Sequence, residues 1–147
     1  SRHISQENKL ERGRRIAFDY GQRRIGVAVS DPDGILATPL EFLEAKHPKL
    51  DRLLSDLIAE YQPRTIYLGL PRQLSGVEGS SAKMVRSFAA ELAKITDTPI
   101  LFIDERLSTV DAQAKLKAAG KNAKESKRLI DSMAAVTILE RGLANES

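Results

Sequence analysis

The sequence RRIAFDYGQRRIGVAVSD, Arg14 to Asp31, predicts a β-hairpin whose first strand ends in a carboxylate. Apolar residues run directly into Asp19, and the apolar alternation resumes at Ile25 on the far side of a turn rich in Gly and Arg. A charged group is costly to remove from water, so Asp19 is the first candidate for a functional residue. The predicted strands are Arg14–Tyr20 and Arg24–Ser30, joined by a turn at Gly21–Arg23.

The rest of the chain predicts an α/β fold. After one weaker strand, the apolar spacing changes to the period of a helix, and strands then alternate with helices, which indicates βαβ crossovers. TIYLGL and PILFIDE are continuous apolar runs, typical of strands buried on both faces. We expect a mixed five-stranded sheet with helices on both faces. The remaining strands are predicted at Ala37–Leu43, Thr65–Leu70 and Pro99–Glu105. The first helix is one that Pro48 can open, and apolar residues from Leu50 to Tyr61 mark one of its faces. The other helices are predicted after the loop PRQLSGVEGSS, at Ser108–Ala119 and at Asn122–Asn145.

Composition narrows the class of protein. The 147 residues suit one domain, and the absence of cysteine excludes disulfides, thiolate zinc sites and a cysteine nucleophile. No apolar run approaches the roughly 20 residues of a membrane helix, so we expect a cytoplasmic protein with no membrane partner. A net charge of +3 favours an anionic partner. We expect residues 1–13 to form a disordered N-terminal tail and residues 14–147 to form a single domain.

Three acidic residues lie where apolar surroundings are expected. Asp19 is at the end of the first strand, Glu105 follows PILFID, and Asp131 lies among apolar residues inside the final helix. Sites in α/β proteins gather beyond the carboxyl ends of parallel strands. If the first and last strands run parallel, Asp19 and Glu105 emerge at one end of the sheet, where a packed helix can bring Asp131 to them.

Each acid also has a structural explanation, and spacing alone does not choose between the two. Ion pairs are a common reason for oddly placed charges. Asp104 competes with Glu105, because neighbouring residues of a strand point to opposite faces. The structural alternatives are bonds from Asp19 to turn amides, an ion pair of Glu105 with Arg106, and an ion pair of Asp131 with Lys127 or Arg128.

Four sequence blocks resemble the signature of the YqgF family: DYGQRRIGVAVSD, GLPRQLSGVEGSSAKMVRSFAAEL, DERLSTVDA and KRLIDSMAAVTILE. They occur in this order and cover nearly everything from Arg14 to Leu143. That family is Holliday-junction-resolvase-like and is described as a nuclease that matures the precursor of 16S ribosomal RNA. The resemblance implies an RNase H-like nuclease domain with Asp19, Glu105 and Asp131 as its active site. One block departs from the family pattern, because LSGVEGSS lacks the Asp that more often precedes the first glycine.

Three convergent carboxylates imply a metal site. They repel one another unless a cation holds them, and oxygen ligands suit Mg²⁺ or Mn²⁺. Two such ions can activate a water and stabilise the leaving oxygen during phosphodiester hydrolysis. We therefore expect Asp19, Glu105 and Asp131 to be both the catalytic residues and the metal ligands. Neither His3 nor His47 is needed, and both are expected to be solvated.

Basic residues near these blocks are candidates for binding nucleic acid. The loop Gly69–Ser81 leads into a helix N-terminus, a setting that attracts phosphate, although it lacks the GxxxxGK[ST] pattern of a nucleotide P-loop. The alternative is a plain connection in which Ser80 or Ser81 caps the helix. Ser108, with Asp111 three residues later, matches a helix cap better than a nucleophile. The candidate cations are Arg23, Lys83, Arg86, Arg106 and Lys127.

The sequence thus predicts a metal-dependent nuclease, with maturation of pre-16S ribosomal RNA as the leading role. Two alternatives stay open: a Holliday junction resolvase acting on branched DNA, and a catalytically silent nucleic-acid-binding factor in ribosome maturation. Symmetric cutting of a junction needs two active sites, so a homodimer is also open.

Overall fold

The computed structural model describes residues 11–71, 79–104 and 123–146, with side chains in the last range described from residue 132 onward. Within these ranges the chain forms five strands and three helices. None of the helices within them is both long and apolar enough to cross a membrane. The elements are β1 (Arg15–Tyr20), β2 (Arg24–Ser30), β3 (Ala37–Glu44), α1 (Leu50–Tyr61), β4 (Thr65–Leu70), α2 (Ser80–Ile95), β5 (Ile100–Asp104) and α3 (Ala123–Glu146).

The strands form one mixed sheet in the order β3-β2-β1-β4-β5. β2 is antiparallel to both β1 and β3, whereas β1, β4 and β5 are mutually parallel. The carboxyl ends of β1, β4 and β5 therefore lie together, beside the start of β2 and the end of β3. We call this the carboxyl end of the sheet. The predicted α/β class and mixed five-stranded sheet are confirmed.

Helices cover both faces of the sheet, as the sequence predicted. On one face, alternate strand residues such as Phe18 and Ile25 pack against Leu54 of α1 and Phe88 of α2. On the other face, smaller residues such as Ala17 pack against α3. Burial of these two apolar layers is the main stabilising term, at about 25 cal/mol per Å² of apolar surface. Strand alternation assigns each residue of β1 to one of these two faces.

A glycine allows α3 to pack closely on the sheet. A Cβ atom at Gly142 would lie 2.7 Å from carbons of the Tyr67 ring, closer than atoms can approach. Tyr67 is buried, so its ring cannot move aside easily. At the end of this helix, Glu146 accepts hydrogen bonds from the Tyr67 hydroxyl and from the guanidinium of Arg15, which is completely buried.

One sequence prediction, and one alternative that the sequence left open, were wrong in detail. The strand PILFIDE is not buried on both faces: β5 pairs with β4 alone among the described strands, and Leu101 and Phe102 are 50% and 37% exposed. A continuous apolar run does not distinguish a central strand from an outer one. Neither Ser80 nor Ser81 caps α2, because the N-cap residue is Gly79, without a side-chain cap. The helix predicted at Ser108–Ala119 lies outside the described residues.

The predicted tail and domain boundary remain predictions. Residues 1–10 lie outside the described ranges, and Gly13 is bound to the rest of the fold through a 2.7 Å hydrogen bond from its amide to the carbonyl of Pro32.

The turn after β2 is held by Asp31, whose carboxylate accepts the amide hydrogens of Ile35 and Leu36 at 2.7 and 2.9 Å. These bonds lower the pKa of Asp31.

Candidate active site

Asp19 lies at the carboxyl end of the sheet, on the face covered by α3. It is the penultimate residue of β1, and it is half-buried two residues beyond Ala17, which packs under α3. Its neighbour on β2 is Gly26, and on β4 the register from the Phe18–Leu68 pair leads to Gly69. The neighbours of Asp19 on both adjacent strands are thus glycines, which have no Cβ atom and allow close approach of another group.

The parallel strands bring the end of β5 to the same end of the sheet. Phe18 pairs with Leu68, and Leu68 pairs with Phe102, so β1 and β5 run in the same direction across β4. β5 ends at Asp104, and Glu105 is the next residue in the chain, outside the described ranges. The condition set by the sequence, that the first and last strands be parallel, is met.

Asp104 is a weaker candidate than its position suggested. Ile103 packs in the layer under α3, so alternation directs Asp104 toward the opposite face from Asp19. The backbone carbonyl of Asp104 accepts a 2.7 Å hydrogen bond from the guanidinium of Arg141 in α3. This bond fixes the last peptide group before Glu105 against the helix.

A buried serine fixes α3 above the same region. Ser132 is fully buried, and its hydroxyl accepts the amide hydrogen of Val27 at 3.2 Å and donates to the carbonyl of Leu40. The pairing of β2 with β3 shifts between Ile25 and Val27, so the serine bonds to both strands at the irregularity. Val27 follows Gly26, the partner of Asp19, and Ser132 follows Asp131. The helical turn that contains Asp131 is therefore fixed on the strand next to Asp19.

Replacing this serine tests the fixation. Ser132→Ala leaves a buried N–H and a buried carbonyl without the hydroxyl, and we expect a loss of about 1–3 kcal/mol in the free energy of unfolding. Thr137→Val is a control at another buried position of α3, because the Thr137 hydroxyl bonds only weakly to its own helix, at 3.4 Å from the Met133 carbonyl. Denaturant unfolding of both variants measures the difference. Equal losses would mean that Ser132 does not fix α3 to the sheet.

The donor chemistry of the three acids fits a divalent cation. Carboxylate oxygens are the ligands preferred by Mg²⁺ and Mn²⁺. Asp19 alone of the three has a described side chain, and the described residues by themselves contain no cluster of three potential ligands. The predicted ligand set therefore stays a prediction, supported by the placement of the backbone segments that carry it.

The described cation candidates divide between two places. Arg23 is exposed in the β1–β2 turn, at the same end of the sheet as Asp19. Lys83 is exposed in the first turn of α2, and Arg86 lies over the ring of Phe102 at 4.9 Å, on the face opposite Asp19. Stacking gives Arg86 a structural role as well as a charge. Arg106 lies outside the described ranges, and Lys127 is in the part of α3 whose side chains are not described.

The sequence analysis missed a basic pocket beside Arg23. A cavity of about 480 Å³ is lined by Arg23, Arg24, Phe42, Glu44, Lys46, His47 and Pro48. These residues come from the start of β2, the end of β3 and the segment before α1. The pairing of Arg24 with Glu44 and a 2.8 Å hydrogen bond from the Ala45 amide to the Arg23 carbonyl bring these segments together. The sequence contained one signal for a cation on this side of the sheet. Arg24 lies two residues before Gly26 in the predicted strand, so alternation places both on the same face of β2.

Comparisons with known proteins agree on the family. A family model described as "RuvX: Holliday junction resolvase" matches residues 13–145. A protein of Streptomyces coelicolor named "Putative pre-16S rRNA nuclease" is 48% identical over 140 residues, covering 94% of this chain and 84% of the relative. A protein of Mycobacterium leprae with the same name is 48% identical over 145 residues, covering 95% of this chain and 77% of the relative.

The fold also has a counterpart among solved structures. The structure of RuvC from Thermus thermophilus superposes with a TM-score of 0.50 at 14% identity, and the match covers 90% of this chain and 95% of that chain. At this identity the likeness concerns the fold alone, and it confirms the RNase H-like fold expected from the sequence.

Proposed function

The chain belongs to the RuvX family, the YqgF family of the sequence resemblance, and from that membership we propose that it is a metal-dependent nuclease that hydrolyses phosphodiester bonds. The observation that carries the proposal is the convergence of three backbone segments at the carboxyl end of the sheet. These are the end of β1 with Asp19, the end of β5 just before Glu105, and the turn of α3 next to Ser132, which contains Asp131.

The three acids have distinct roles in this proposal. Asp19 is on a central strand paired on both sides, so its backbone is held in place by the sheet and its carboxylate would serve as a metal ligand. Glu105 and Asp131 complete the ligand set from the neighbouring strand end and the covering helix. When bound, divalent ions lower the pKa of a water and stabilise the leaving oxygen of a phosphodiester. No histidine is required as an acid or base.

Mg²⁺ and Mn²⁺ both suit this donor set. A cell supplies far more Mg²⁺ than Mn²⁺, but the choice of ion is part of the test below. Nucleic acid is the partner that the surface charge favours, because Arg23 and Lys83 present cations at or near the same end of the sheet.

The leading substrate is the precursor of 16S ribosomal RNA, as in the names of the two relatives. A four-way DNA junction is the second candidate, because the family model is described as a Holliday junction resolvase. Symmetric cutting of a junction would need a second active site and hence a homodimer. A nucleic-acid-binding factor without catalysis is the alternative from another functional class.

One assay separates these candidates. The protein is incubated with a pre-16S RNA fragment and with a four-way DNA junction, each with Mg²⁺, with Mn²⁺ and with EDTA, and the products are mapped at nucleotide resolution. We expect cleavage of the RNA with a divalent ion and none with EDTA. Symmetric nicks in the junction alone would favour the resolvase, and binding without cleavage under every condition would contradict the nuclease proposal.

A further inference from the structure

The basic pocket next to the β1–β2 turn has the chemistry of a phosphate site. Arg23, Arg24 and Lys46 contribute three cations to its lining, against one acid, Glu44. Arg23 and Lys46 are exposed, so their charged groups reach solvent at the mouth of the cavity. An open concave surface with this charge balance favours an anionic ligand that passes through it.

Two contacts give the pocket a fixed geometry. The guanidinium of Arg24 lies over the ring of Phe42 at 5.0 Å, which limits the orientations of its N–H fork. His47 accepts the amide hydrogen of Lys49 on its Nδ1 atom at 2.9 Å, so its neutral ring has the proton on Nε2 and can donate from there. Phe42 is half-buried, and the face of its ring contacts the guanidinium of Arg24.

The pocket lies on the face of β2 that carries the neighbour of Asp19. Arg24 is two residues from Gly26, and Gly26 pairs with Asp19, so Arg24 and Asp19 face the same side of the sheet. Strand geometry puts the Cα atoms of Arg24 and Asp19 about 8 Å apart. The pocket residues on β3 are farther from Asp19 by about one more strand spacing of 4.8 Å. This separation is short compared with the length of a bound nucleic acid, whose strands advance about 3.4 Å along the helix axis per nucleotide, so the pocket lies within a few nucleotides of Asp19.

We propose that this pocket, the Arg24 pocket, binds the phosphodiester backbone of the substrate a few nucleotides from the bond that is cut. The inference deepens the proposed function and rests on it, because it assigns the pocket to the nucleic acid that Asp19 acts on. Arg24 contacts a phosphate through its fixed N–H fork, and Lys46 and Arg23 contribute mobile charge on either side. These contacts carry no base information, so the pocket positions the strand without selecting its sequence.

The test measures binding in EDTA, where cleavage does not interfere. Lys46→Ala and Arg24→Gln are each titrated with the pre-16S RNA fragment and with the four-way DNA junction, at several salt concentrations. We expect each variant to bind about 5- to 8-fold more weakly at 0.1 M salt and to lower the slope of log K against log salt by about 0.7 to 0.9, since one phosphate contact is lost. Arg52→Ala is the matched control, because Arg52 is 78% exposed on α1 and pairs with Asp56.

The outcomes separate this inference from the proposed function. Wild-type affinity and salt slope in both pocket variants would overturn the pocket assignment, even if the protein cuts RNA. Weakened binding that is specific to one base sequence would overturn it as well, because a backbone contact affects all sequences alike. If no cleavage occurs with any ion but the pocket variants still lose affinity, the pocket binds nucleic acid, whereas the nuclease proposal fails and with it the placement of the pocket relative to a cut bond.

Discussion

Asp19→Asn should lower the rate of cleavage by at least about 10³-fold. The same change should not lower the free energy of unfolding of the metal-free protein. A carboxylate that holds divalent ions would contribute several kcal/mol of transition-state stabilisation through them, and an amide has lost both the charge and one ligand oxygen. Without metal, a carboxylate near two others is repelled, so its neutralisation should leave the free energy of unfolding unchanged or slightly higher. If Asp19 instead holds the β1–β2 turn, the same change should destabilise by about 1–3 kcal/mol.

Thermal melts with EDTA and with Mg²⁺ or Mn²⁺ test both halves of this prediction. An ion that binds the native cluster and not the unfolded chain stabilises by about 2.7 kcal/mol at 100 times its dissociation constant. We expect this gain in the wild type and much less of it in Asp19→Asn. Asp56→Asn is a control, because Asp56 is 65% exposed and pairs with Arg52 on α1. An Asp19→Asn protein that is destabilised in EDTA and keeps the full metal response would contradict the assignment of Asp19.

The sequence was sufficient for most of the secondary structure because the signals for it are local. The predicted bounds of β2 and β4 match the structure, since alternation and turn residues act within a few positions. The helical face predicted from Leu50 to Tyr61 lies in α1, but that helix begins at Leu50 and not at Pro48. The position of β5 was correct, but its burial was not. Burial depends on which strands lie beside it, and that information is not local. The order of the strands was likewise beyond the sequence, although it decides that Asp19 and the end of β5 share one end of the sheet.

The site was only partly predictable for the same reason. The acids could be nominated because a carboxylate at the end of an apolar run is unusual at any location in a fold. The contacts that fix the site could not be found in this way. Ser132 bonds to Val27 and Leu40, which are about a hundred residues earlier in the chain. The Arg24 pocket depends on the pairing of β2 with β3, whose register shifts between Ile25 and Val27.

At the opposite end of the sheet, the carboxylate of Glu146 joins α3 to two strands. Glu146 in α3 binds Arg15 of β1 through two contacts, Nη2–Oε1 at 2.5 Å and Nε–Oε2 at 3.2 Å. Arg15 is completely buried, and Glu146 is 23% exposed. The Tyr67 hydroxyl donates to the same carboxylate, and burial together with this bond raises the pKa of Tyr67, so it remains a donor at neutral pH. These three residues join β1, β4 and the last turn of α3.

This network makes stability depend on pH in a definite direction. Burial raises the pKa of Glu146, but hydrogen bonds from Arg15 and Tyr67 and the charge of Arg15 outweigh it, so the pKa is below its ordinary value of 4.5. A depressed carboxylate pKa means that the unfolded chain takes up a proton first as the pH falls. The contribution of Glu146 is therefore fully present above about pH 4.5. It is lost as the pH falls from there through the folded pKa.

Glu146→Gln should destabilise the protein by about 3–5 kcal/mol at pH 7, because it leaves the buried guanidinium of Arg15 without a counter-charge. Glu91→Gln is the matched control: its 3.2 Å pair with Lys94 is exposed, and exposed pairs contribute about 0–1 kcal/mol. Urea unfolding of both variants at pH 7 and below pH 4 measures the effect. The gap between Glu146→Gln and wild type should narrow at the lower pH, since the unfolded wild-type chain then takes up a proton at Glu146 first. A loss no larger than that of Glu91→Gln, or a gap that does not change with pH, would show that Arg15 does not depend on Glu146.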